Sequence, residues 1–134
     1  MTILKYLCLG IICIFFVMGG IGHFADTERF MSIMPDFMPF HWEAVIVSGV
    51  FELMGAVGIL IPKTRRIAGI GLFTLVVLVT PANINMWINA DQFPQFSMTY
   101  HYIRMPAQVL LLVMIWWSTQ PWKLQKDDSE LSAA

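Results

Sequence analysis

The sequence predicts an all-α protein, a transmembrane four-helix bundle with both termini cytoplasmic, on three observations. Of the 134 residues, 57% are hydrophobic and 13% charged, against about 45–50% and about 25% in soluble domains. Four apolar runs each reach the roughly 20 residues that a helix needs to cross a bilayer. When those runs are threaded back and forth, six of the eight Lys and Arg fall on one side.

The first run covers about residues 3–24, "ILKYLCLGIICIFFVMGGIGHF". It lacks a clear A-x-A site and exceeds a typical signal-peptide core, so a retained span is expected. Cys8 and Cys13 lie within it, five positions apart. At 100° per residue they point about 140° away from each other, which rules out a bridge within the helix. They read as small buried hydrophobes.

The connection "ADTERFMSIMPDFMPFH" follows, with Pro35 and Pro39 preventing one continuous helix. It is expected in the headgroup region, anchored by Phe37, Phe40 and Trp42. The second run covers 42–62 and the third 67–89, separated by the "KTRR" turn. Pro81 in "TPANINMW" should bend or loosen the third helix, because it lacks a donor and crowds the preceding turn. The fourth run covers 102–122, and residues 123–134 form a polar tail. In lipid every backbone polar group must be satisfied within the segment, so all four runs are read as helices. Residues 1–122 then make one transmembrane domain.

Lys5, Lys63, Arg65, Arg66, Lys123 and Lys126 share one side, and only Arg29 and Arg104 the other. The positive-inside rule assigns the first side to the cytoplasm, giving an N-in/C-in multi-pass protein. Small residues (Gly19, Gly20 and Gly22; Ser48, Gly49, Gly55 and Gly58; Gly69 and Gly71) would let the helices approach closely. The net charge of −1 gives no reason to expect a nucleic-acid partner. No Cys/His cluster has metal-ligand spacing, and no P-loop, G-x-G-x-x-G or G-x-S-x-G is present. A metal site is not expected.

Glu52 is the only ionisable residue between Glu43 and Lys63. Ten residues past Trp42, it lies about 15 Å deep, near the middle of a hydrocarbon core about 30 Å thick. It shares a helix face with Ser48, Gly49, Gly55 and Ala56, so it is expected to point inward. His23, Asn83, Asn85, Arg104 and Gln108 fall in the outer part of the other runs. Arg104 and Gln108 are one turn apart on one face. Arg104 is the expected partner of Glu52, with Gln108 supplying a further donor, because a buried carboxylate needs a counter-charge. Asn83 and Asn85 would point about 200° apart on a regular helix and could share a cavity only if the backbone opens at Pro81. His41 and His101 read as interfacial side chains. The six residues form either a polar pin that fixes helix packing or a small cavity open to the outside, with His23 or Glu52 handling protons.

The stretches "GIGHF", "MPDFMPFHW", "SGVFELMGAVGILIP", "TRRIAGIGL", "PANINM" and "RMPAQVLLL" occur in that order across nearly the whole chain before the tail. As a set, this pattern resembles the DoxX-like family of small bacterial four-helix membrane proteins. The resemblance implies an inner-membrane accessory of a redox process, holding a quinone or small thiol compound in the outer-half cavity. It places the characteristic positions at His23, Glu52, Asn83, Arg104 and Gln108. No cofactor is evident from the residues; a quinone is the one the resemblance admits. The chain has no thiol pair in its spans to run a dithiol reaction. Expected partners are the lipid bilayer, other redox subunits and, at this size, a second copy in a homodimer. A small-solute or lipid transport or binding module, and a purely structural membrane subunit, are the alternatives.

Overall fold

The structure, a computed structural model, describes residues 2–121. The polar tail expected over 123–134 lies outside the described residues. Everything described is helix, turn or coil, without a strand. Six helices run in order: α1 Thr2–Ala25, α2 Thr27–Ser32, α3 His41–Leu60, α4 Arg65–Leu78, α5 Thr80–Ile88 and α6 Met98–Thr119. A single 3-10 turn, Ala90–Gln92, precedes α6.

The boundaries follow local chemistry. Asp26 caps α2, its Oδ1 accepting from the Arg29 N–H at 3.4 Å. Ser97 caps α6 in the same way, taking the Tyr100 N–H at 3.2 Å. α3 and α6 stop at Ile61 and Gln120, both extended and both just before a proline, because the ring of a proline disfavours helical backbone in the preceding residue. Phe40, ahead of α3, is left-handed at φ 58°, with no side-chain cap to assist it.

The third apolar run is not one helix. It breaks at Val79, where α4 ends and α5 begins, with Pro81 in the first turn of α5. A proline is tolerated there because first-turn N–H groups have no intrahelical partner. The expected loosening at Pro81 is therefore a one-residue interruption two residues earlier, at which Val79 stays right-handed and still accepts from the Asn83 N–H at 3.2 Å. The fourth helix also starts earlier than the sequence suggested, at Met98, and runs through Pro106. The outer connection contains α2, a helix of six residues.

α1 packs along α3, α3 along α4, α4 along α6 and α6 back along α1. At the end away from the α2 connection the shared core comprises Leu9, Ile12 and Phe16 of α1, Ala56 and Ile59 of α3, Leu72 and Val76 of α4 and Ile115 of α6. A smaller cluster, Ile33, Met86 and Phe93, sits under the α2 end. Large apolar side chains such as Ile14, Met54, Ile67 and Val113 remain exposed along the long helices. Helices apolar on the outside as well as the inside are what a lipid surround requires. The stretches Ile3–Ala25, His41–Leu60 and Arg65–Ile88 are long and apolar enough to cross a membrane. α6 has 22 residues, about 33 Å of rise, but its first half carries Tyr100, His101, Arg104 and Gln108.

Several of the expected glycines allow close approach, but Gly71 does not: a Cβ there would meet nothing within 4 Å. A Cβ at Gly20 would lie 2.8 Å from the Leu53 side chain and 3.1 Å from the Gly49 carbonyl, and one at Gly49 would lie 2.8 Å from His23 Cβ. No side chain fits at either position, so α1 and α3 meet backbone to backbone near His23.

Candidate functional site

The polar residues gather at the end where α1 finishes, α3 begins, α5 finishes and α6 begins. They form two groups instead of one nest. Glu52 does not meet Arg104; no ion pair links them. Its partner is His23, with Nε2 3.4 Å from Oε1. The expected pairing fails because the Gly19–Gly20/Gly49 approach brings α3 against α1, which places the imidazole beside the carboxylate.

The chemistry of this pair is constrained. His23 Nδ1 lies 2.8 Å from the Val45 carbonyl, which can only accept, so Nδ1 carries a hydrogen. A neutral ring would then turn the lone pair of Nε2 toward a carboxylate oxygen. Attraction across that contact requires one proton, on the ring or on the acid. The side chains are only 9% and 12% exposed. Glu52 Oε2 is buried without a hydrogen-bond partner and rests where a Gly19 Cβ would come within 2.7 Å. On its other side, His23 stacks on Phe30 of α2, with ring centroids 4.1 Å apart.

The second group joins α5 to α6. Arg104 donates from Nη2 to Asn83 Oδ1 at 2.5 Å, and from Nη1 to Met86 Sδ at 2.9 Å and Tyr100 OH at 3.3 Å. Asn83 Nδ2 donates to Gln108 Oε1. Gln108 Nε2 donates to Thr80 Oγ1 at 2.6 Å and contacts the Val76 carbonyl at 3.5 Å, to which Thr80 Oγ1 also donates at 3.0 Å. The order follows from the donor inventory. Arginine cannot accept, so Asn83 must present its oxygen to it. That turns the Asn83 amide toward Gln108 and leaves the Gln108 amide to donate onward. The run ends at Val76, in the last turn of α4, where carbonyls lose their intrahelical partners. The break at Val79 thus supplies the final acceptor.

Gln108, expected to support Glu52, is committed to this run. Asn85 does not share a cavity with Asn83. It donates to the Ile33 carbonyl at 3.1 Å and accepts from Asn89 at 2.8 Å, tying α5 to the end of α2. The two asparagines diverge because α5 is a regular helix after the break.

Between the groups lies a cleft of about 250 Å³, lined by Gly22, Asp26, Arg29, Phe30, Ile33, Phe96, Tyr100 and Arg104. Of the six residues expected at the site, only Arg104 reaches it; Phe30 separates it from His23. Phe96 and Tyr100 stack at 4.9 Å, with Arg29 over Phe96 at 4.7 Å and Arg104 over Tyr100 at 5.8 Å.

His101 is the residue that sequence reasoning misplaced most. It is 2% exposed, not interfacial, and neither ring nitrogen has a hydrogen-bond partner. Its ring is edge-on to Phe96 and Tyr100. The signal was present: His101, Arg104 and Gln108 follow an i, i+3, i+7 pattern and occupy one helix face. Tyr100 and Phe96 carried no such signal. No group of three or more His, Cys, Asp or Glu among the described residues could hold a metal ion.

A family described as "Domain of unknown function (DUF8561)" matches residues 12–119, and the chain belongs to it. No curated protein and no solved structure matches the chain.

Proposed function

We propose that this chain is a DoxX-like protein of the bacterial inner membrane, crossing the bilayer four times with both termini in the cytoplasm. In this reading it assists a membrane redox process by holding a small compound, a quinone foremost, in the cleft at the outer end. Three apolar stretches and the length of α6 support four crossings. The six-to-two distribution of Lys and Arg supports the orientation.

The observation that carries the binding reading is Arg104. Its guanidinium faces the cleft and is held by three neutral partners. Three of its five N–H donors are used, leaving Nε–H and one Nη2 hydrogen for a ligand acceptor. A quinone carbonyl is such an acceptor. Phe30, Phe96 and Tyr100 offer ring faces to the flat body beside it. The His23–Glu52 pair, behind Phe30, would hold the proton that quinone chemistry handles.

Titration of purified protein with a short-tailed ubiquinone analogue tests this. Saturable binding that falls about tenfold in Arg104→Ala, the loss of one hydrogen bond to a charged donor, is expected. An analogue that binds the variant and the native protein equally overturns the reading. A reporter fused to the carboxyl terminus should be cytoplasmic; an external reporter overturns the topology.

A further inference from the structure

The charge of the cleft does not close. Arg104 has no carboxylate among its partners. The Arg29 side chain makes its contact with the Phe96 ring and, among the described residues, its guanidinium has no hydrogen bond or ion pair. Asp26 is the one carboxylate among the described residues that line the cleft, and its Oδ1 is engaged by the Arg29 backbone N–H. Two guanidinium groups against one carboxylate leave the cleft one positive charge in excess.

We infer that the cleft binds a monoanionic amphiphile, its oxyanion held by Arg29 and Arg104 and its apolar body against Phe30, Phe96 and Tyr100. The inference rests on the cleft being the ligand site, as proposed above, and not on the ligand being a quinone. Three features support it independently. The charge excess matches one negative charge and no more. Guanidinium groups present their donors in a fork that fits carboxylate and phosphate oxygens. Both sit over rings of a stacked aromatic pair, so the apolar contact and the charge come together in one place. At the outer interface two sources supply this chemistry: the phosphodiester of an anionic phospholipid and the carboxylate of a free fatty acid.

Native mass spectrometry of the detergent-purified protein separates the cases. The probes are oleate, its uncharged counterpart monoolein, phosphatidylglycerol and a short-tailed ubiquinone analogue. Oleate or phosphatidylglycerol should be retained about tenfold more strongly than monoolein, the worth of one charge-assisted contact. Retention of oleate alone identifies the free acid as the source, and of phosphatidylglycerol alone the bilayer. Arg29→Ala, at an exposed side chain, should lower retention about tenfold without changing helix content, and Arg104→Lys should lower it with charge preserved. Equal retention of oleate and monoolein, or an Arg29→Ala protein that binds like the native one, overturns the inference. Anion binding without ubiquinone binding leaves it standing and removes the quinone reading; ubiquinone binding that anions do not displace does the reverse.

Discussion

The two ends of the molecule are held together by different physics. At the end away from α2, helix contact is set by size. Gly55 faces Leu72, Gly58 faces Ala68, with 2.7 Å between Ala68 Cβ and any Cβ at 58, and Gly69 faces Thr119. Leu9, Ile12, Ile59, Leu72 and Ile115 fill the space between. At the α2 end, hydrogen bonds are added to the Gly20/Gly49 approach, through His23–Glu52 on one side and Arg104–Asn83–Gln108–Thr80 on the other. In lipid, close packing alone can hold helices, because burial from water no longer discriminates between arrangements. The difference teaches that the polar end is not needed for assembly in general; it fixes one arrangement and leaves a cleft.

On that contrast, the most damaging change should be at the apolar end. Gly69→Leu would drive a large side chain into Thr119 and should cost about 3 kcal/mol or more, read as a drop in the detergent melting temperature. Asn83→Leu should come next. It leaves an arginine donor and the Gln108 oxygen unpartnered in a position that is 8% exposed, worth about 2 kcal/mol. Unlike Gly69→Leu, it should also weaken ligand retention in the cleft. A stability loss with unchanged retention would mean that the polar end is packing glue only.

Gly19→Ala is a finer probe. The added methyl falls 2.7 Å from Glu52 Oε2, but a flexible carboxylate can withdraw, and alanine gains up to about 1 kcal/mol in helix propensity. The net change should lie within about 1 kcal/mol. The visible effect should be a shifted His23 ring-nitrogen resonance. Asn85→Ala should cost about 1 kcal/mol for its bond to the Ile33 carbonyl, an effect confined to one place and detected as faster hydrogen exchange in α2. A large loss there would make α2 part of the main fold and not a roof over the cleft.

How much of this was legible in the sequence depends on what each residue could announce alone. The all-helical fold followed from composition and run length; of the four expected spans, three stretches are long and apolar enough to cross a membrane, and Gly20, Gly49, Gly55, Gly58 and Gly69 marked close helix contacts. Glu52 announced its inward direction, but not its partner. Which neighbour meets it depends on how far α1 slides along α3, and Gly19, Gly20 and Gly49 set that by what they lack. Pro81 announced a disturbance, yet the break at Val79 needed the Gln108 amide and the Thr80 hydroxyl to receive the Val76 carbonyl. His101 was misread because a histidine near a span end resembles an interfacial one until its face is counted against Arg104 and Gln108. Arg29 and Phe96 join the cleft only through the meeting of α2 with the segment ahead of α6, which no local pattern encodes.

The hydrogen bonds from Arg104 to Val76 all point one way. Each donor in that line is also an acceptor except the first, and the last acceptor sits at the interruption between α4 and α5. Bonds arranged head to tail polarise one another, so a negative charge set against the guanidinium would draw on its donors and change the strength of every later link. Whatever occupies the mouth is therefore felt at the joint in the middle of the third run, with no part of the backbone having to move first.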